Sequence, residues 1–420
     1  MSRESGSLLG VAGYLRRTVD RLLGELLAEL PAVLIVGPRA AGKTTTAERH
    51  AATTIHLDRP AEAAAFRADP DAALRGLLEP TLLDEWQSVP EVLGAVKRAI
   101  DVDPHPGRYI LTGSVRADLD AETWPGTGRL VRVAMYPMTV AEQLGRLDMP
   151  PLFDRLAAGE VLGVPAAPPD LRGYVELALE SGFPQVALGM SASARQHWID
   201  SYVDQLLTRD AQQIDGGRDP LRLRRYFEAY ALNSAGVVDD KTLYQAAGIN
   251  RKTALAYERL LANLMVVDLV PAWTSNRLKR LVLSGKRFLV DPALLAGVLR
   301  VDAGAVLRDG NLLGRVLDTF VAAHLRAELA IARTRPRLYH LRQEQGRREV
   351  DLLGELGAER IIAVEIKADS GPGREAARHL AWLRDELGDR FVAGVVLHTG
   401  PRVYPLGERI TAAPIGTLWA

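Results

Sequence analysis

Apolar positions along the chain fall into runs of two kinds. Between Tyr14 and Leu30, the residues Leu15, Val19, Leu22, Leu23, Leu26, Leu27 and Leu30 recur at helical spacing, which predicts an amphipathic helix stopped by Pro31. The unbroken run Ala32–Val36 has the length of a buried strand; a Gly-rich turn follows, then a predicted helix from Lys43 to about Ala51. Short runs at Thr53–Leu57, Thr81–Asp84 and Arg108–Thr112 read as further strands, with helical stretches such as Val92–Ile100 between them. Strands alternating with helices predict an α/β fold built on a parallel sheet.

From Leu147 to Leu171 the pattern breaks. Pro150, Pro151, Pro165, Pro168 and Pro169, interleaved with Ala and Gly, read as a loop or linker and place a boundary near residue 150. Residues 172–214 read as mostly helical, 220–270 as helical again, and the chain from Arg287–Val290 onward as alternating strands and helices. The expected division is 1–150, a linker and helical segment 151–214, then 215–290 and 291–420.

Composition changes this picture little. Hydrophobic residues make up 47% and charged residues 25% of 420, enough for sizeable cores, and a formal net charge of +0 advertises neither a nucleic acid nor a membrane. The absence of cysteine excludes disulfides, thiolate metal sites and Cys nucleophiles, and fits a reducing cytoplasm. No run approaches the ~20 apolar residues of a membrane span, and Met1–Gly10 has no secretory pattern. The expectation is a cytoplasmic protein with no membrane partner.

The candidate chemistry begins at residues 37–44, Gly-Pro-Arg-Ala-Ala-Gly-Lys-Thr, set between a predicted strand and a predicted helix as a P-loop requires. Gly37 and Gly42 let the backbone turn tightly, so that the loop residues Gly37, Pro38, Arg39, Ala40, Ala41, Gly42, Lys43, Thr44 and Thr45 surround phosphate oxygens, with backbone N–H groups of all but Pro38 as donors. Lys43 is placed for the β- and γ-phosphates and Thr44 for a Mg²⁺ ion. Leu82-Leu83-Asp84-Glu85 ends a short strand with two carboxylates: Asp84 for the metal, Glu85 to polarise the attacking water. Thr112, in Thr112-Gly113-Ser114 at another strand end, either orients that water or belongs to a plain turn.

The ordered series G-P-R-x-x-G-K-T, L-L-D-E-x-Q (Leu82–Gln87), L-T-G-S (Leu111–Ser114), Gly128-Arg129, Y-P-M-T-x-x-E (Tyr136–Glu142) and S-G-F-P (Ser181–Pro184) resembles prokaryotic AAA-type ATPases of the AAA+ superfamily that carry a C-terminal domain of undefined function. The resemblance covers nearly the whole chain. It implies ATP and Mg²⁺ as cofactors, an N-terminal AAA-type domain, a helical and winged-helix middle, and a C-terminal α/β domain with a restriction-endonuclease-like, PD-(D/E)XK-type core. It also implies that Arg129 senses phosphate, or reaches a neighbouring subunit as a finger in a homo-oligomer.

Residues 241–270 read as helix, turn at Gly248-Ile249-Asn250, helix and short strand, similar to a winged helix. Asn250, Arg251, Lys252 and Tyr257 are its candidate DNA-facing residues, and Arg277, Lys279, Arg280, Lys286 and Arg287 its candidate wing. From Asp215 to Val290, thirteen Arg and Lys face seven Asp and Glu, which makes DNA a candidate partner. In the C-terminal part, Asp351, Glu365 and Lys367 have the spacing of a nuclease-like metal site, with Glu365 and Lys367 on one strand face and Asp318 as a third acid. The same Glu-x-Lys pair is also an ordinary salt bridge. Two functions stay open: an ATPase that binds or cuts DNA, and a nucleotide-dependent switch for a protein partner with an inactive C-terminal domain. The eight histidines show no ligand-like spacing and are read as structural or surface residues.

Overall fold

The computed structural model describes residues 13–114, 128–210, 219–276, 280, 283–343 and 346–420. Strands β1 (Ala32–Val36), β2 (Thr53–His56), β3 (Thr81–Asp84), β4 (Tyr109–Gly113) and β5 (Leu130–Ala134) form one sheet in the order β2-β3-β4-β1-β5. All its pairings are parallel. Every position of β1, β3 and β4 is buried, which is why these strands read as continuous apolar runs and not as alternating ones. Helix α1 (Val19–Glu29) covers one face through Val19, Leu23 and Leu27. Helices α2 (Lys43–Glu48) and α3 (Val92–Val102) complete the layer structure, the latter packing Val92, Leu93 and Val96 against Leu34, Leu83 and Leu111. The first helix starts four to five residues later than its apolar pattern suggests, because Arg17 turns inward and its backbone N–H donates to Asp20.

The proline-rich stretch after residue 147 is a loop only in part: residues 159–170 carry no helix or strand, but a helix precedes them. Helix α4 (Leu152–Ala158) lies inside it, with Leu152 and Phe153 fully buried. A Cβ on Gly354 would lie 2.5 Å from the Phe153 ring, so this helix sits directly on the C-terminal sheet. Prolines here mark the entry to a packed helix (Pro151 precedes its first residue), which composition alone cannot distinguish from an open loop.

Helix α5 (Ala192–Gln205) runs on through a π-helical turn, Leu206–Asp210. Helices α6 (Pro220–Leu232), α7 (Asp240–Ala246) and α8 (Arg251–Asn263) come next, followed by an antiparallel pair, β6 (Val267–Val270) with β7 (Lys286–Leu289). Asn250 caps α8 by accepting from Thr253 N at 2.9 Å.

The C-terminal sheet has six strands in the order β12-β13-β11-β10-β9-β8: β8 (Arg337–Gln343), β9 (Arg348–Glu355), β10 (Ile361–Ile366), β11 (Phe391–His398), β12 (Tyr404–Gly407) and β13 (Ile410–Pro414). Helix α9 (Gly310–Leu329) packs on one face and α10 (Arg378–Leu387) on the other. One hydrophobic core runs from Val140 to Trp419 and takes in the middle helices, the β6–β7 pair and a face of this sheet. No helix among the described residues is long and apolar enough to cross a membrane.

Candidate functional site

The P-loop follows β1 at the carboxyl edge of its sheet. Gly37 is required there, since a Cβ would collide with the Met135 carbonyl. Gly42 has φ +91°, the left-handed region, and caps α2. Lys43 is buried, and its Nζ donates to Pro38 O at 3.0 Å and Ser114 Oγ at 3.1 Å. Burial pulls the Lys43 ammonium down to about 8, against the opposing pull of Glu85 and Asp84.

Strand β4 lies between β1 and β3, so its polar end separates the P-loop from the acidic pair. Thr44 Oγ1 donates to Asp84 Oδ1 at 2.7 Å, and the Thr112 hydroxyl donates to the same oxygen. Ser114 Oγ donates to Glu85 Oε1 at 2.9 Å while accepting from Lys43, so one hydroxyl joins the lysine to the glutamate. Glu85 itself has φ 53°, ψ 48°, a left-handed conformation uncommon for a non-glycine residue and concentrated at functional sites. Gln87 donates to its other carboxylate oxygen.

The structure thus brings together Lys43, Thr44, Asp84, Glu85 and Thr112, and adds Ser114 and His56. His56 Nδ1 lies 3.1 Å from Asp84 Oδ2, and His56, Asp58 and Asp84 each offer a ligand atom within 4.8 Å of the others. His56 is therefore not the bland structural residue its isolated position suggested; nothing in sequence marked it beyond its place at the end of a strand neighbouring β3.

Several motifs of the resemblance converge behind the P-loop. Glu142 forms a capping box with Thr139 and accepts from Arg17 Nε at 3.0 Å, both side chains being buried. Arg17 in turn donates to Ala41 O at 2.8 Å and Tyr136 O at 2.7 Å. Pro184 of S-G-F-P would lie 3.3 Å from a Cβ on Gly42, and Tyr202 of α5 donates to Arg39 O at 3.2 Å. Arg129 does not join them. Leu130 pairs with Ala32, so Arg129 lies at the amino edge of the sheet, roughly 20 Å along the strands from the P-loop at ~3.3 Å per residue. There it pairs with Asp101 at 2.6 Å. That register sets its backbone away from the P-loop of its own chain.

The donor set fits Mg²⁺ and a nucleotide triphosphate: one hydroxyl and one carboxylate side by side suit a hard cation that takes its other ligands from phosphate and water.

The second set of expected residues also assembles, in the C-terminal sheet. Asp318 comes from α9, Asp351 from β9, and Glu365 and Lys367 from the end of β10. Lys367 Nζ lies 2.7 Å from Glu365 Oε1. The unexpected member is Lys286 of β7, whose Nζ lies 3.1 Å from Asp318 Oδ2 and 2.9 Å from Asp351 Oδ1. Burial would lift the Asp351 carboxyl, but Lys286 outweighs it and holds the group below its ordinary value. Burial, with Asp351 nearby, pushes Asp318 up to about 7 and Glu365 up to about 8.

Two further expectations need correction. Tyr257 is buried, its hydroxyl reaching Asp219 O at 3.4 Å, because the i, i+3 stripe of α8 that carries it faces α6. The basic wing is turned inward: Lys286 is in the cluster above, Arg287 pairs with Glu258 and Asp240, and Arg280 pairs with Glu355 at 2.9 Å. Arg277 and Lys279 lie outside the described residues. Asn250, Arg251 and Lys252 are exposed.

A parallel sheet with a P-loop after β1 and an acidic pair at the end of β3, with β4 between them, is the arrangement of a P-loop ATPase domain. Residues 29–144 match the family described as "AAA domain". Residues 171–305 and 313–418 match two families described as domains of unknown function, DUF8612 and DUF4143. Two proteins are each 27% identical over 405 residues, covering 95% of this chain and 83% of their own length: "Uncharacterized protein Mb2031c" of Mycobacterium bovis and "Uncharacterized protein Rv2008c" of Mycobacterium tuberculosis. A solved structure described as the Walker-type ATPase PABY2304 of Pyrococcus abyssi matches at 16% identity and a TM-score of 0.43, over 70% of this chain and 99% of its own.

Proposed function

We propose that the chain hydrolyses ATP with Mg²⁺ at the edge of β1, β3 and β4. The observation that carries this reading is the Ser114 hydroxyl, which sits between Lys43 and Glu85 and so sets the phosphate-binding cation and the water-directing carboxylate at a fixed separation. The P-loop amides and Lys43 bind the phosphates, and Thr44 and Asp84 would hold the metal, which would supply charge neutralisation to the phosphates. Glu85 orients a water whose oxygen bonds to the γ-phosphorus as the bond to the β–γ bridging oxygen breaks, giving ADP and phosphate. Arg39 in the loop, or Arg129 from a neighbouring subunit of a homo-oligomer, balances charge in that step. Lys43→Ala is expected to abolish tight ATP binding, and Glu85→Gln to keep binding but stop turnover; wild-type hydrolysis by both variants would refute the assignment.

For the rest of the chain, two readings compete. DNA binding through a winged-helix-like middle segment is supported by the exposed Asn250, Arg251 and Lys252 at the start of α8. A nucleotide-dependent switch acting on a protein partner, with an inactive C-terminal domain, is supported by the ion pairs that occupy Asp318, Asp351, Glu365 and Lys367 and by the inward-turned basic residues. The second has the greater support from geometry. Incubating the protein and Lys367→Ala with linear, branched and single-stranded DNA, with Mg²⁺ or Mn²⁺ and with or without ATP, separates them. Cleavage that Lys367→Ala removes would restore the nuclease reading, a shift without cleavage favours DNA binding alone, and neither favours the switch.

A further inference from the structure

Carboxylates that hold a divalent cation must turn oxygens toward one open position. In the C-terminal cluster that position is filled from elsewhere in the chain. Lys286 stands 32 residues before Asp318, on the β6–β7 pair, in the segment matched by a different family from the one that contains the carboxylates. Its ammonium touches Asp318 and Asp351, while the remaining Asp351 oxygen accepts from Ile366 N at 3.0 Å. Both oxygens of the central aspartate are therefore taken. Lys367 occupies one Glu365 oxygen, and the other, Oε2, is buried without a hydrogen-bond partner among the described residues.

Lys286 has no room to leave. Its side chain is 2% exposed, its Nζ lies 5.7 Å from the Phe288 ring centroid, and Arg287 beside it is anchored to Glu258 and Asp240. A metal ion placed among these carboxylates would set two further positive charges against a buried ammonium within a few ångströms, a strongly repulsive arrangement at low dielectric. The residues present do not fit a divalent cation.

We infer that Lys286 is a resident substitute for that cation: its ammonium occupies the place between Asp318 and Asp351 that a metal would need, tying the β6–β7 pair to the C-terminal sheet and keeping Mg²⁺ and Mn²⁺ out. The inference is independent of ATP hydrolysis at the P-loop. It also predicts a latent site, because removing the ammonium leaves Asp318 Oδ2 and Asp351 Oδ1, the two carboxylate oxygens it now joins, without a cation between them.

The test is a Mn²⁺ titration without nucleotide, read by the electron paramagnetic resonance signal of the free ion. The full-length chain carries Asp84→Asn throughout, so the P-loop carboxylate does not contribute. The parent is expected to take up no Mn²⁺ that a further Asp351→Asn change removes. Lys286→Met is expected to gain one Mn²⁺ per chain, bound at least ~10-fold tighter than any in the parent, and to lose it again with Asp351→Asn. Uptake by the parent that depends on Asp351 overturns the inference, as does a folded Lys286→Met chain that gains no ion. Should Lys286→Met unfold, Mn²⁺ must raise its melting temperature while leaving the parent's unchanged. Failure of that rescue equally overturns it.

Discussion

The hydroxyl of Ser114 accepts from the P-loop lysine and donates to the glutamate that directs water, so its loss should separate binding from turnover. Ser114→Ala leaves Lys43 its contact with Pro38 O and the loop amides, and ATP affinity should change little. Glu85 loses a positioning hydrogen bond of about 1–3 kcal/mol, and turnover should fall roughly 5- to 150-fold. Steady-state kinetics decide this; a rise in KM with kcat unchanged would show that the hydroxyl serves the nucleotide and not the glutamate. Single residues also show where sequence reading stops. Lys43, Thr44, Asp84 and Glu85 were legible because their chemistry depends on contiguous spacing around one loop and one strand end. His56 was not, since only the parallel pairing of β2 with β3 brings it to Asp84. Arg129 was read from its neighbours in sequence, but its place is decided by strand register, which puts it at the far rim of the sheet.

At the scale of elements, α9 carries two buried ionisable groups that pull stability in opposite directions with pH. Burial pushes the Glu328 carboxyl up from 4.5 to about 7, although Leu152 N donates to it at 2.8 Å. Between those values the folded chain keeps a proton that the unfolded chain releases, so stability falls as pH rises through the window, by about 3 kcal/mol in all. His324 is held neutral by burial, its value lowered from 6.5 to about 4, with Nε2 accepting from Val140 N and Nδ1 facing Phe320 O. The unfolded chain takes up that proton first, so stability falls as pH drops from 6.5 toward 4. Glu328→Gln removes one slope and leaves the other. Its melting temperature should exceed the parent's above pH 7 and fall more steeply between pH 6.5 and 4.5. Parallel pH profiles from calorimetry would mean that Glu328 is ionised in the fold throughout. Helix α8 makes a related point about legibility. The helix itself follows from its apolar stripe and its Asn250 cap, yet which polar residues face water depends on α6 and the β6–β7 pair, and those bury Tyr257 and Arg287.

Across the whole molecule, the P-loop is linked to the middle helices by a short aromatic chain. Tyr202 donates to Arg39 O, stacks on Trp198 with ring centroids 5.1 Å apart, and packs on Phe183 at 4.9 Å. Nucleotide binding that fixes the loop carbonyl should slow amide hydrogen exchange across Ala192–Gln205, and Tyr202→Phe should remove most of that protection without abolishing ATP binding. Unchanged exchange in the unaltered protein would show that the loop and α5 move independently. None of this linkage was visible in the chain's linear order, because Tyr202 and Arg39 stand 163 residues apart and meet only in the folded chain.

The single core from Val140 to Trp419 has a bearing on inheritance. The two domain families matched by the middle and end of the chain meet between residues 305 and 313, yet the oily interior runs through that junction without a seam. A gene rearrangement that exchanged either half for a stranger's would strip apolar surface from the half it kept. The sequences on either side of the junction are therefore obliged to travel, and to change, together.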